Sequence, residues 1–156
     1  MLLMHRAGVF DVSNNAIPLN KHSRGKPYTG QSYIEYRENA DKNHTFTFDE
    51  LAGVVAANKL SFFVPGSSYH YSDTGYSILG KIIERVSGKP YSDFIREELL
   101  LPNGLLETSS PREGSDQAIP APFIKGYVWI NGEVEEVTEF KYVASCGGRQ
   151  YNNNLS

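Results

Sequence analysis

Ser67-Ser68-Tyr69-His70-Tyr71-Ser72-Asp73-Thr74-Gly75-Tyr76-Ser77-Ile78-Leu79-Gly80-Lys81-Ile82-Ile83-Glu84-Arg85-Val86-Ser87-Gly88-Lys89-Pro90 is the stretch that decides how the chain is read. Its first residues are extended in character and its later ones predict a helix. Ser72 or Asp73 can cap that helix by accepting a hydrogen bond from an unpaired amide of the first turn. Tyr76, Leu79, Ile82, Ile83 and Val86 recur at i, i+3, i+4 spacing and predict one inward apolar face, with Lys81, Glu84 and Arg85 away from it. Gly88 stands where a left-handed C-terminal cap is wanted, and Pro90 stops continuation.

Working outward, Pro65-Gly66 forces a turn before this stretch. Earlier, Thr47-Phe48-Asp49-Glu50 fits a capping box, in which Thr47 accepts from the third helical amide while Glu50 reaches back. Leu51, Val54, Val55 and Ala57 follow at helical spacing and predict a helix over 48–59. Residues 11–45 are polar and broken by Asn14-Asn15, Gly25, Pro27 and Gly30. They predict a long loop with one helical turn near Tyr33 to Glu38. A loop of that length is unusual inside a compact domain, so it is either functional or a surface for a neighbour. Residues 1–10 suit a short helical turn or strand.

On the other side, a third helix over 91–99 is expected, with Tyr91, Phe94, Ile95 and Leu99 inward and Pro102-Asn103-Gly104 ending it. Gly126 to Val137 reads as a β-hairpin, because Asn131-Gly132 lies between two β-prone runs. The tail from Gly147 to Asn154 is polar and turn-like.

With 156 residues the chain suits one domain, and 40% hydrophobic against 21% charged residues is ordinary for a globular protein. The net charge of −3 offers no broad basic surface for nucleic acid. Cys146 is the only cysteine, so no intramolecular disulfide forms. His5, His22, His44 and His70 follow no metal-ligand pattern and are read as surface or packing residues, and neither a metal nor a cofactor is expected. No run approaches the ~20 apolar residues of a membrane span. The N-terminus lacks the basic start and apolar run of a signal peptide.

Chemistry points to Tyr71, just before the helix. A phenol near the positive end of a helix, or near a lysine ammonium, ionises more readily than its ordinary pKa of ~10 and can serve as a general base. Taken alone, a lone tyrosine is more simply read as packing with Tyr69 and Tyr76. Asp73 is read here as a plain helix cap. Phe62, Phe63 and Trp129 are read as core.

Residues 62–90 resemble, without a gap, the second-motif region of beta-lactamase-related serine hydrolases, which include class C beta-lactamases, D-alanyl-D-alanine carboxypeptidases and esterases. Leu2-Leu3-Met4-His5-Arg6-Ala7-Gly8-Val9 is similar to that family's Leu-Leu-x-His-Thr-Ser-Gly-Leu segment, with Arg6 and Ala7 departing from it. Residues 94–108 and Ser145-Cys146-Gly147-Gly148 are similar to later segments, while 11–45 and 109–140 match poorly. The resemblance implies that Tyr71 assists proton transfer at a nucleophilic serine and that Asp73 stands where the family's Tyr-x-Asn motif has Asn. An ionised Asp accepts hydrogen bonds but does not donate them.

The family's Ser-x-x-Lys nucleophile precedes the Leu-Leu-x-His segment, and its Lys/His-x-Gly strand follows the Gly-Gly stretch. The one Ser-x-x-Lys match here, Ser23-Arg24-Gly25-Lys26, is read as chance, because Gly25 and Pro27 oppose the helix the chemistry needs. The expected fold is therefore mainly α with a small β-hairpin. It is the helical subdomain of the beta-lactamase/transpeptidase-like α/β fold without its central sheet, and 1–156 forms a single partial domain. The implied parent reaction is hydrolysis of a small-molecule amide or ester, or of a D-Ala-D-Ala peptide, through a serine acyl-enzyme, with this chain inactive alone. The alternative is a non-catalytic binding or interaction module. Without the sheet, apolar faces of helices 48–59 and 73–87 stay uncovered, and a homo-oligomer is expected.

Overall fold

The computed structural model describes residues 1–41, 44–110, 124–130, 132–136 and 151–152. Among the described residues four α-helices run in order: α1 Tyr33–Ala40, α2 Phe48–Ala57, α3 Asp73–Ser87 and α4 Tyr91–Ile95. A 3-10 turn, Leu2–Met4, precedes them, and α4 continues as a π segment, Arg96–Leu100. The strands are short: β1 Thr108–Ser109, β2 Tyr127–Ile130, β3 Glu133–Glu136 and β4 Tyr151–Asn152. β2 and β3 form the expected antiparallel hairpin, with Tyr127 opposite Glu136 and Ile130 opposite Glu133. Gly132 takes the left-handed conformation its turn requires, φ 88°. β1 pairs antiparallel with β4. Cys146, Asn131 and the Ser145–Gly148 stretch lie outside the described residues.

The helix starts form for the reasons the sequence suggests. Thr47 Oγ1 accepts from the Glu50 amide at 3.2 Å and caps α2. The reciprocal half of the capping box is replaced. The Glu50 carboxylate accepts from the Tyr33 hydroxyl at 2.9 Å and meets His44 Nε2 at 2.9 Å. Burial, together with the Glu50 hydrogen bond, pushes the Tyr33 phenol up to about 12. α1 runs two residues beyond the Tyr33 to Glu38 turn that the sequence suggests, with Ser32 accepting from the Glu35 amide as its cap.

Residues 11–45 are the largest departure. Rather than a loose surface loop, they supply three of the eight residues of the core cluster, Val12, Ile17 and Tyr33. Phe10, Val12, Ile17 and Tyr33 are buried with Phe46, Leu51, Val54 and Leu60. Two crossing backbone bonds hold this segment, Ile17 N to Gln31 O at 3.0 Å and Gly30 N to Ile17 O at 2.8 Å. Its polar residues are buried because they are paired: Ser23, fully buried, donates to Pro18 O at 2.7 Å and accepts from Asn20 N at 2.9 Å. Ser23 and Lys26 thus sit in turns, not on a helix, and cannot form a Ser-x-x-Lys site.

α3 is turned differently from the expectation. Its buried residues are Thr74, Gly75, Ser77 and Gly80, while Tyr76, Ile82 and Val86 are exposed. Small side chains let the 11–14 segment and the N-terminal turn approach closely, and Thr74 Oγ1 accepts from the Val12 amide at 3.3 Å. Among the described residues the apolar stripe is only partly covered, with Leu79 and Ile83 half-buried. Gly88 (φ 70°) ends α3 as expected. Glu84 then reaches across the junction to accept from the Tyr91 amide at 3.0 Å, capping α4, whose own N-cap Pro90 has no acceptor.

Leu99 is half-exposed, not inward. The π segment adds a residue to the turn, so Leu100, five after Ile95, is the residue that is buried with it. Trp129 is also exposed rather than core, at 71%, on the hairpin. Among the described residues no helix is long and apolar enough to cross a membrane.

Candidate active site around Tyr71

The chain reaches α3 through an extended segment, and Ser72 is its last extended residue (φ −153°, ψ 113°). Ser72 Oγ accepts from the Gly75 amide at 3.1 Å, so Ser72, not Asp73, is the cap. Asp73 is the first helical residue, and its carboxylate lies in the positive field of the free amides there. His70 and Tyr71 point to opposite sides, as an extended chain requires. His70 stacks on Phe62 with centroids 3.7 Å apart, and Tyr71 lies against His5 at 4.5 Å.

His5 organises this side of the site, a role that sequence reading did not assign. It is one of two non-glycine residues with positive φ among the described residues, at 53°. Its Nδ1 accepts from the Ser72 amide at 3.2 Å, which puts the proton of a neutral ring on Nε2. Its carbonyl accepts from His70 N at 3.0 Å. Tyr76 lies 5.0 Å from the imidazole and donates its hydroxyl to Leu3 O at 3.1 Å. The space enclosed behind, among Leu2, His5, Val9, Ser72 and Gly75, is about 10 Å³. The Tyr71 ring therefore rests on packed protein while half its surface faces solvent.

The polar arrangement is a chain. The Tyr71 hydroxyl donates to Asp73 Oδ1 at 2.7 Å. Asp73 Oδ2 accepts from Asn14 Nδ2 at 2.8 Å, and the same nitrogen donates to Asp11 Oδ2 at 2.8 Å. Asp11 is 1% exposed. The hydrogen bond to Asp73, then its negative charge, then burial push the Tyr71 phenol up to about 12. This corrects the expectation of easier ionisation. The helix terminus is already matched by the carboxylate of Asp73, and the phenol meets that carboxylate rather than the bare end of the helix.

The other histidines lie elsewhere. His44 bridges Glu50 and Arg37, with Arg37 Nη2 at 2.8 Å from its Nδ1. Among the described residues no group of three or more His, Cys, Asp or Glu is placed to hold a metal ion.

The residues of this arrangement lie within a stretch that matches a known family. The family model Beta-lactamase matches residues 1–129. The chain belongs to the beta-lactamase family. Penicillin-binding protein 4* of Bacillus subtilis is 30% identical over 139 residues, which cover 85% of this chain and 30% of that protein. A D-aminopeptidase of Cereibacter sphaeroides is 28% identical over 105 residues, covering 60% of this chain and 20% of that one. Among solved structures, the D-stereospecific amidohydrolase from a Streptomyces species superposes with a TM-score of 0.69 at 25% identity, over 96% of this chain and 41% of that one. The chain thus spans less than half the length of these relatives. As a member of the beta-lactamase family it has penicillin-binding proteins and D-aminopeptidases as homologues.

Proposed function

We propose that this chain carries the tyrosine-bearing helical segment of a serine acyl-transfer hydrolase, and that it is catalytically silent by itself. Tyr71 is the residue assigned to proton transfer, and Asp73 its hydrogen-bond acceptor and a holder for a lysine ammonium. The parent reaction is attack of a serine on the carbonyl of a small amide or ester, followed by hydrolysis of the acyl-enzyme. Relatives named D-aminopeptidase and D-stereospecific amidohydrolase support an amide as the parent substrate.

The observation that carries this reading is the Tyr71 hydroxyl, solvent-facing, 2.7 Å from Asp73 at the first turn of α3. Held by a carboxylate, the phenol keeps its proton at neutral pH. A lysine ammonium brought onto Asp73 would occupy that acceptor and lower the phenol's pKa, making the tyrosine a usable base. No helical Ser-x-x-Lys occurs among the described residues, since Ser23 and Lys26 lie in turns. Loss of a nucleophile and its base together costs orders of magnitude in rate. The test is hydrolysis of nitrocefin and p-nitrophenyl acetate by the purified chain. Background rates are expected. An enzyme-like rate abolished by Tyr71→Phe would refute silence.

A second reading, a non-catalytic module that binds a second copy of itself, rests on the exposed Tyr76, Ile82 and Val86 of α3. A cleft of about 470 Å³ lies beside them between α2 and α3, lined by Phe48, Ile78, Lys81, Ile82 and Arg85. Sedimentation should then show a dimer or larger species. A clean monomer with little binding of a hydrophobic dye would count against it. Inspection of the flanking coding sequence for Ser-x-x-Lys and Lys/His-x-Gly segments separates the two readings.

A further inference from the structure

We infer that Asn14 is a positioning residue for the Tyr71–Asp73 pair: its carboxamide ties Asp73 to the buried Asp11 and so fixes which Asp73 oxygen receives the tyrosine hydroxyl. The inference rests on the proposed role of Tyr71 for its functional meaning, but not for its geometry. Fifty-nine residues separate Asn14 from Asp73 in sequence, and no motif links them.

Asp11 is the buried end of the chain of hydrogen bonds. Its carboxylate is 1% exposed, and Oδ1 accepts from the Ser13 amide at 3.1 Å. Its carbonyl accepts from the Asn15 amide at 3.1 Å, closing a tight turn around Asn14. Val12 is held on both sides, its amide by Thr74 of α3 at 3.3 Å and its carbonyl by the Tyr33 amide of α1 at 3.2 Å. The turn presenting Asn14 is therefore anchored to both neighbouring helices.

The amide of Asn14 has two N–H groups, and each has a carboxylate at 2.8 Å, one from Asp11 and one from Asp73. Chemistry fixes its orientation. A flipped carboxamide would aim its oxygen at two carboxylates, so only the nitrogen can face them. The two N–H groups also hold two like charges near one another. Without them the half-buried Asp73 is free to turn toward water, away from both Asp11 and Tyr71. With Oδ2 held, Oδ1 is left to accept from Tyr71 at 2.7 Å. Asn14 is itself exposed, so its side chain contributes little to the core, and its removal acts on the site.

Two effects of Asn14→Ala compete, and their signs differ. Losing the N–H donor makes Asp73 a better acceptor, which raises the Tyr71 pKa further. Losing the tether lets Asp73 leave, which lowers it. The positioning role requires the second effect to win. The assay uses the purified chain labelled with ¹³C at tyrosine Cζ, the Tyr71 resonance being assigned by its loss in Tyr71→Phe. With a wild-type value of about 12 falling to about 11, the ionised fraction of Tyr71 at pH 10.5 rises about eightfold. Asn14→Gln, which keeps the carboxamide, is expected to recover part of the wild-type value. Asp73→Asn gives the reference for complete loss of the carboxylate. At pH 7, the hydrogen–deuterium isotope effect on the Tyr71 Cζ shift reads the same hydrogen bond without alkali, and amide spectra confirm that each variant is folded. Tyr71 titrating at or above the wild-type value in folded Asn14→Ala would overturn the inference. Because no turnover is measured, failure of the acyl-transfer reading would leave this result standing, and the two failures are distinguishable.

Discussion

Gly8→Ala should destabilise the chain more than any other glycine replacement in the N-terminal half, and the site beside it with it. Gly8 has φ +70°, and a Cβ built there would lie 2.1 Å from the Phe63 carbonyl oxygen and 3.1 Å from its carbon. The left-handed conformation alone costs an alanine about 1–2 kcal/mol. The obstacle is backbone, not the tip of a flexible side chain, and it must retreat by roughly 1 Å or more to reach ordinary contact. That retreat strains the two bonds that fasten the 62–66 strip to the N-terminal turn, Phe62 N to Gly8 O at 2.9 Å and Gly66 N to Arg6 O at 2.8 Å. Each is worth about 1 kcal/mol net. The sum is about 3 kcal/mol, a large part of the stability of a domain this size. Gly25→Ala is the control: φ is +81°, yet nothing lies within 4 Å, so only the conformational cost remains. Urea unfolding should separate the two variants by about 1 M in midpoint at an ordinary slope. Equal midpoints would mean that the close approach of Gly8 to Phe63 does not exist in solution.

Other outcomes follow from single residues. Gly53→Ala, exposed in the middle of α2 with nothing within 4 Å, should stabilise by about 0.5–1 kcal/mol, read as a higher urea midpoint. Ser72→Ala removes the cap of α3 and should cost about 1 kcal/mol, with Thr at the same position restoring most of it. Asp73→Asn should bring the Tyr71 phenol from about 12 down toward its ordinary value of about 10, seen by ¹³C titration, since the hydrogen bond to an anion and its charge are both lost. For Glu84, burial pushes the carboxyl pKa up, but the Lys81 hydrogen bond at 2.8 Å and the Tyr91 amide outweigh it and the net shift is downward. A lowered pKa contributes stability above the unfolded value and loses it as pH falls through the folded one. Unfolding measured between about pH 6 and pH 3 should therefore fall less steeply in Glu84→Gln than in the parent chain.

The parts legible in the sequence are those decided within a few residues. Thr47 and Ser72 announce helix starts because a cap and its amide are three positions apart, and Gly88 with Pro90 announces an end. The turn at Gly132 goes with the register of β2 and β3 for the same reason. What escaped reading depends on distant partners. Residues 11–31 look like a loop because they are polar, yet Asp11, Ser23 and their neighbours are buried through hydrogen bonds that composition does not reveal. The apolar stripe of α3 suggested its inward face. The small residues Thr74, Ser77 and Gly80, spaced by three, were the competing signal, and close backbone approach favoured them. Tyr71 and Asp73 were singled out as candidates because they share a motif. His5 and Asn14 were not, since they lie 67 and 59 residues from their partners and meet them only through the fold.

That division bears on how the motif should be understood. A motif gives residue types, while the protonation state belongs to the surroundings. Tyr71 at a helix N-terminus suggests a phenol that ionises easily, because the free amides there favour negative charge. The field of α3 can be satisfied only once, and Asp73, at the first helical position, is already an anion there. A second negative charge on Tyr71 would then be placed beside the first. The hydrogen bond at 2.7 Å is the cheaper solution: the tyrosine keeps its proton and lends it to the carboxylate. Family members with Asn at this position have a neutral side chain there, so the same helix end remains available to the phenolate. The Asn-to-Asp difference therefore changes more than a donor into an acceptor. Under the proposed role of Tyr71, it would make the basicity of the phenol depend on a cation arriving at Asp73.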